Sequence, residues 1–230
     1  MERGLYIAAS GMLAETVRQD QIANDLANSS TPGYKADRAS QKSFGQLLLA
    51  NSLTGQPVGS LGLGVQIGRT VTDLSSGPIR ETGEPLDFAI EGTGFFGIQT
   101  ANGVRYTRNG QFSVSANGTL VTAQGDQVLG QNGAPIRVDA KGRVSARAVG
   151  TFEVPGARKV GDGLFSGTAA GKAAGSVRGG ALEGSGVDAA RSMVDMIASF
   201  RAFESGQKVI RTIDETLERA AGQVGSINGQ

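Results

Sequence analysis

Residues 5–35 read LYIAASGMLAETVRQDQIANDLANSSTPGYK, and this stretch decides how the ends of the chain fold. Leu5, Ala9, Met12, Thr16, Gln19, Ala23 and Leu26 recur in alternating steps of four and three, while Glu15, Arg18, Asp20, Gln21 and Asp25 fall off that line. The spacing predicts an amphipathic helix over 5–27 with a coiled-coil seam, a rod of about 35 Å. The seam is thin, because Ala, Thr and Gln occupy positions where Leu and Ile give stability. Alone such a helix is marginal in water, so it requires a partner helix. It stops at Asn28-Ser29-Ser30-Thr31-Pro32-Gly33, since proline cannot extend a helix and Pro-Gly suits a type II turn.

The helical period returns from Val187, with Met193, Ile197, Phe200, Phe203, Gln207, Ile210, Ile213 and Leu217 three or four apart. Two terminal helices of complementary need predict one discontinuous domain, 1–33 with 187–230, whose insert is everything between. Within the insert, residues 34–80 read as an extended linker with weak strands, and 81–186 as a β-rich domain. Four Asn-Gly pairs, at 102–103, 109–110, 117–118 and 132–133, punctuate the β region. Asn-Gly is the strongest short-range hairpin signal, because a type I′ turn needs positive φ at two successive residues. Short β-forming runs lie between them: Phe95 to Ile98, Val104 to Thr107, Phe112 to Ser115, Leu120 to Thr122, Val128-Leu129 and Ile136 to Val138. Residues 155–180, rich in Gly and Ala, read as loop. The predicted fold is therefore mixed α and β, a coiled-coil-like pair of terminal helices with an inserted, mainly antiparallel β domain.

Composition excludes several function classes. The chain of 230 residues has no His, Cys or Trp, which removes the commonest general base, the thiolate nucleophile and nearly every zinc or iron site. No cofactor, metal or catalytic residue is expected. Glu84, Asp87 and Glu91 are carboxylates without a partner base and read as turn or surface groups. Gly92-Thr93-Gly94 and Gly161-Asp162-Gly163 lack the lysine and helix of a phosphate loop and read as turns. With 22 basic and 21 acidic residues the net charge is +1, so no electrostatic footprint for nucleic acid is visible. No apolar run reaches the roughly 20 residues of a membrane helix, and Met1-Glu2-Arg3 leads into an amphipathic stretch unlike a cleavable signal. Membrane insertion and a cleaved leader are not expected.

Three blocks, in order, resemble one family. The first is Ala8-Ala9-Ser10-Gly11-Met12-Leu13 with Gln21-Ile22-Ala23-Asn24-Asp25-Leu26-Ala27-Asn28 and Thr31-Pro32-Gly33-Tyr34-Lys35. The second runs from Glu84 to Phe96, with Tyr106-Thr107-Arg108-Asn109-Gly110 and Gly118 to Thr122. The third runs from Gly180 to Asp188, with Met196-Ile197 and Arg201-Ala202-Phe203-Glu204. Together they resemble the flagellar basal-body rod and hook proteins, the axial family of the bacterial flagellum. The chain departs from the family pattern at Gly186, where Asn is usual, at Phe203, where Tyr is common, and at Gly206. The last interrupts a helix at a cost of about 1 kcal/mol relative to Ala, so a bend or fraying is expected there.

The resemblance implies a non-enzymatic structural subunit that polymerises into the tubular rod between the membrane ring and the hook. Hook members carry large outer domains, and 230 residues leave no room for one, so the rod is favoured, and the proximal-rod member most of all. The implied partners are other copies of the chain, other rod and hook axial proteins, and the flagellar export apparatus. The implied place is the periplasmic part of the basal body, reached without a cleaved signal peptide. The terminal helices would be frayed in the monomer and ordered in the tube, around a narrow channel where Ala8, Ala9, Gly11, Ala23 and Ala27 let helix axes approach. The assembly interface is expected at Leu5, Ala9, Gly11, Met12, Thr16, Ala23 and Leu26, and at Met193, Ile197, Phe200, Phe203, Ile210 and Leu217. The alternatives are a distal-rod subunit, or an envelope-remodelling enzyme or binding module on the same scaffold.

Overall fold

A computed structural model describes residues 2–43, 45–50, 56–62, 64–139 and 142–227. The chain divides into two compact units. Unit 1 comprises Met1–Leu26, Asp37–Val71 and Ala189–Gln230, and unit 2 comprises Ala27–Ala36 and Thr72–Asp188. The outermost residues of the expected assembly segments, Met1 and 228–230, lie outside the described residues.

Unit 1 is built on two long helices, α1 (Glu2–Ala27) and α2 (Ala189–Ile227). Four points of approach fix how they pack. A Cβ on Gly4 would lie 3.3 Å from Ile213, and one on Gly206 would lie 2.7 Å from Met12 Cγ. Ser199 Oγ donates to Glu15 Oε2 at 2.6 Å, and Arg18 faces Asp195 at 3.9 Å. Residue numbers rise on one helix as they fall on the other, so the pair is antiparallel. Two ribbons complete the unit, Asp37–Ser43 with Val65–Thr72 and Gln46–Ala50 with Pro57–Gly62. The stretch expected as a linker thus carries paired strands, and most of it groups with the helices. Ser10 on α1 reaches this part of the unit, its Oγ accepting from the Val65 amide at 3.4 Å.

Gly206 does not end α2, which is helical on both sides of it. The missing side chain leaves room for Met12, and this packing offsets the glycine's helix penalty. Gly186 lies three residues before α2, and its amide donates to Tyr34 O at 2.9 Å.

Unit 2 is an antiparallel β structure. Its spine is the hairpin Phe95–Thr100 with Gly103–Thr107, where Phe96 stands opposite Thr107. On one side follow Leu164–Ser166 and then Arg158–Gly161; on the other follow Gln127–Val128, Leu120–Val121 and Ser113–Val114. Thr151–Glu153 also pairs with the start of the spine. Two further ribbons close the end of the unit onto its beginning: Phe88–Glu91 with Ser176–Gly179, and Ile79–Glu81 with Ala181–Glu183.

The spine is buried on both faces, which is why Phe95 and Phe96 are adjacent aromatics. Successive strand side chains point to opposite sides. Phe96 joins Phe88, Ile90, Ile98, Phe112, Leu120 and Val128 in one cluster, while Phe95 joins Tyr106, Val154 and Phe165 in another. The segment expected as loop, 155–180, supplies Phe165 to that second cluster and contributes four strands. Ladder hydrogen bonds need no side chains, so one well-placed apolar residue suffices to anchor a Gly-rich hairpin.

The turns differ from expectation. Asp162 is the one non-glycine with positive φ among the described residues, at 50°, followed by Gly163 at 69°. The type I′ geometry therefore occurs at Asp162-Gly163, between Gly161 and Leu164. At Asn102-Gly103, Asn117-Gly118 and Asn132-Gly133 only the glycine is left-handed. At 102–103 this is the pattern of a type I turn closed by a glycine bulge. Asn109-Gly110 is not a hairpin turn. Gly110 O accepts from the Phe88 amide at 3.0 Å, and any Cβ on Gly110 would overlap the Phe88 carbonyl oxygen. The Pro32-Gly33 turn does form as read: the Tyr34 amide donates to Thr31 O at 3.3 Å, with Gly33 at φ 67°.

Candidate assembly surface

The helix pair of unit 1 uses one stripe of each helix and leaves others in solvent. On α1, Leu5, Gly11, Met12 and Leu26 are half-buried, whereas Ala9, Thr16 and Ala23 are exposed. The most buried α1 residue is Ala14, which the seam reading missed because Ala at a position off the heptad line gives no signal. Tyr6 and Leu13, one heptad apart, are 64% and 66% exposed.

On α2 the single expected seam splits into two. Phe203, Ile210, Ile213 and Leu217 are half-buried, and they continue a line through Ser192, Met196, Ser199 and Gly206. Ser199 is wholly buried, satisfied by Glu15, and sequence reasoning missed it because a serine and a glycine do not register as apolar. Met193, Ile197 and Phe200, at steps of four and three, form a separate stripe, 53%, 54% and 51% exposed, with Val194 beside them.

Exposed apolar side chains scattered singly are ordinary on a protein surface, but aligned ones mark an interaction face. The stripe changes character after Phe200. Its continuation, Glu204, Gln207, Arg211, Asp214 and Glu218, is polar or charged and exposed. The exposed apolar stripe is therefore confined to the first third of α2, with Val209, among the described residues, a lone exposed large apolar side chain further along.

Gly11 adds a second kind of signal. Among the described residues, a Cβ there would meet nothing within 4 Å, so no close approach among them accounts for a mid-helix glycine, which is costly without a packing reason. The surface as a whole offers one-sided helices with apolar anchors and small residues. The carboxylates read as turn or surface groups lie in unit 2: Glu84 and Glu91 are exposed, Glu91 pairing with Arg178, whereas Asp87 is buried, its backbone bridged to Gln111.

The sequence matches known families along most of its length. Residues 5–35 match the family described as flagella basal body rod protein. Residues 89–153 match the flagellar hook protein FlgE/F/G D1 domain, and residues 178–223 the flagellar basal body rod FlgEFG protein C-terminal. The flagellar basal-body rod protein FlgG of Bacillus subtilis is 34% identical over 95% of this chain and 97% of its own length.

The chain belongs to the flagellar basal-body rod protein family.

Other relatives of this rod-family chain agree. The flagellar hook-basal body complex protein FlhO of Bacillus subtilis is 30% identical over 99% of this chain and 100% of its own length. The flagellar basal-body rod protein FlgF of Salmonella typhimurium is 32% identical over 96% and 97%. The family is structural and not enzymatic. Its three matched regions fall on α1 with the turn that follows, on the spine of unit 2, and on the closing ribbon with α2. Among the described residues, no helix of this rod-family protein is long and apolar enough to cross a membrane.

Proposed function

We propose that this protein is a structural subunit of the flagellar basal-body rod, joined to neighbouring copies and to other axial proteins through the terminal helices. The observation that carries the reading is the apolar stripe Met193, Ile197 and Phe200, exposed on a helix whose other face is already occupied by α1. Burying such a stripe against a neighbour's helix is worth about 25 cal/mol per Å² of apolar area. The same contact repeated by every copy yields a heterologous interface, which propagates into a helical filament instead of closing as a dimer. Ala9, Gly11, Thr16 and Ala23 on α1 present small side chains that let a neighbouring axis approach. Leu5, Met12, Phe203, Ile210 and Leu217, half-buried in the pair, serve assembly indirectly by holding it together within one copy.

The subunit reaches the periplasm through the flagellar export apparatus and occupies the membrane-proximal part of the rod, where the turn after α1 and the Leu182 to Ser185 segment resemble the proximal member. The test is complementation of a strain lacking this protein. A Phe200→Glu substitution should leave the purified chain as stable as the parent while abolishing swimming. Normal swimming by that variant would remove the stripe from the assembly interface. Tagging the protein in purified basal bodies checks its axial position, and a label next to the hook would place it in the distal rod.

A further inference from the structure

A buried charge cluster lies in unit 2. The Glu183 side chain is fully buried. Its Oε1 accepts from Lys35 Nζ at 2.6 Å and from the Gly77 amide at 2.7 Å, and its Oε2 accepts from Arg108 Nη1 at 3.0 Å. Lys35 also donates to Ser75 O at 2.5 Å, and Arg108 donates to Gly92 O at 2.7 Å. Both cations are buried. Two cations thus share one carboxylate out of contact with water. Burial pulls Lys35 below its ordinary value, while the hydrogen bond and charge of Glu183 act in the opposite direction.

The backbone around the cluster belongs to two segments far apart in sequence. The Gly33 amide donates to Glu183 O at 2.8 Å, and the Gly186 amide donates to Tyr34 O at 2.9 Å. Lys159 Nζ donates to Lys35 O at 2.9 Å and stands 3.9 Å from the centre of the Tyr34 ring. Gly33 sits so close to the Arg108–Asn109 backbone that a Cβ would overlap it.

We infer that Glu183 is the keystone of a latch that pins the loop Ala27–Ala36 into unit 2, tying the segment after the first helix to the strand that precedes the second. The loop enters unit 2 after Leu26, and the chain is back in unit 1 by Asp37. Asn28, Ser29, Ser30 and Thr31 give it little apolar surface, and Tyr34 is its one large buried apolar side chain. Charge-assisted hydrogen bonds therefore supply the hold that apolar burial does not. Lys35 and Glu183 are 148 residues apart, so the latch closes only when the ribbon Ile79–Glu81 with Ala181–Glu183 has formed. The loop docks late, on a unit that is already folded.

The charge count makes the latch asymmetric. Losing Lys35 leaves Arg108 paired with Glu183, whereas losing Glu183 leaves two buried cations opposed only by the weaker influence of Asp73 on Lys35, the costlier defect. The inference rests on unit 2 alone and not on the reading as a rod subunit. Its test is amide hydrogen exchange at Gly33 and Gly186 in the full chain, in Glu183→Gln, in Lys35→Met and in the double variant. Glu183→Gln should accelerate exchange at both amides by about a hundredfold or more, and Lys35→Met should do so much less. The double variant should exchange more slowly than Glu183→Gln, because one unpaired cation has been removed. Unchanged protection in Glu183→Gln, or a Lys35→Met effect as large with no recovery in the double variant, overturns the inference. If Glu183→Gln does not fold, recovery of folding in the double variant supports the latch, and equal failure of both overturns it.

Discussion

Gly206 is the position where a sequence rule and the packing make opposite predictions. By helix propensity, Gly206→Ala should stabilise α2 by about 0.8–1 kcal/mol. By packing, the new methyl would lie 2.7 Å from Met12 Cγ and 3.4 Å from its sulfur, and overpacking of this kind costs about 1–3 kcal/mol. The second effect equals or exceeds the first, so the single substitution should be neutral or destabilising by up to about 2 kcal/mol. Met12→Ala removes the obstacle at its own cost, below the roughly 2–5 kcal/mol of a fully buried methionine because Met12 is half-buried. Combined with Met12→Ala, Gly206→Ala should revert to a stabilising change, giving a favourable coupling of about 1 kcal/mol or more between the two sites. Urea unfolding of the four chains, followed by far-UV circular dichroism, measures the cycle. If Gly206→Ala stabilises the parent and the two changes simply add, Met12 does not occupy the space at Gly206 and the helix register described above is wrong.

Gly11→Leu meets open space in the single chain, so it should leave the melting temperature within a few degrees of the parent while blocking swimming in the complementation assay; a variant that swims would show that no neighbour approaches there. Gly110→Ala forces a methyl into the Phe88 carbonyl and should destabilise unit 2 by more than the roughly 1 kcal/mol typical of point substitutions, seen as loss of the near-UV signal from the Phe cluster at lower urea. Because Lys35 titrates below its ordinary value when folded, the unfolded chain binds more protons between the folded and unfolded values, and stability from this group rises with pH across that window. Urea midpoints measured from neutral pH to pH 10 or so should climb more steeply in the parent than in Lys35→Met, and parallel curves would contradict the burial of that amine.

How far the sequence could be read depended on whether a feature is local. The period of 3.6 over α1 and α2, the Pro32-Gly33 stop and most of the β-forming runs are set by neighbouring residues and stand in the structure; Ile136 to Val138 forms only an isolated bridge, Arg137 with Thr119. Phe95 and Phe96 point to opposite faces because a strand alternates whatever it packs against, and each meets its own apolar cluster. Three of the four Asn-Gly pairs were legible as turns but not as turn types, and the fourth, Asn109-Gly110, is no turn at all, since a turn glycine and a glycine in a close approach look alike in sequence. At Gly110 it is the Phe88 carbonyl, on another strand, that demands the glycine.

By itself the sequence determined the two helical ends, the β insert and the family, each carried by short-range spacing or by contiguous motifs. Only the tertiary structure decided which stripe of each helix faces inward. Over the first third of α2, Met193, Ile197 and Phe200 are more hydrophobic than Ser192, Met196 and Ser199, yet the latter line is the one turned to α1, because Ser199 finds Glu15 and, further on, Gly206 admits Met12. Nor could periodicity reveal Lys35, Arg108 and Glu183 as a unit: charged residues read as surface until long-range pairing brings them together, and burial of a charge is permitted only by partners that the fold supplies.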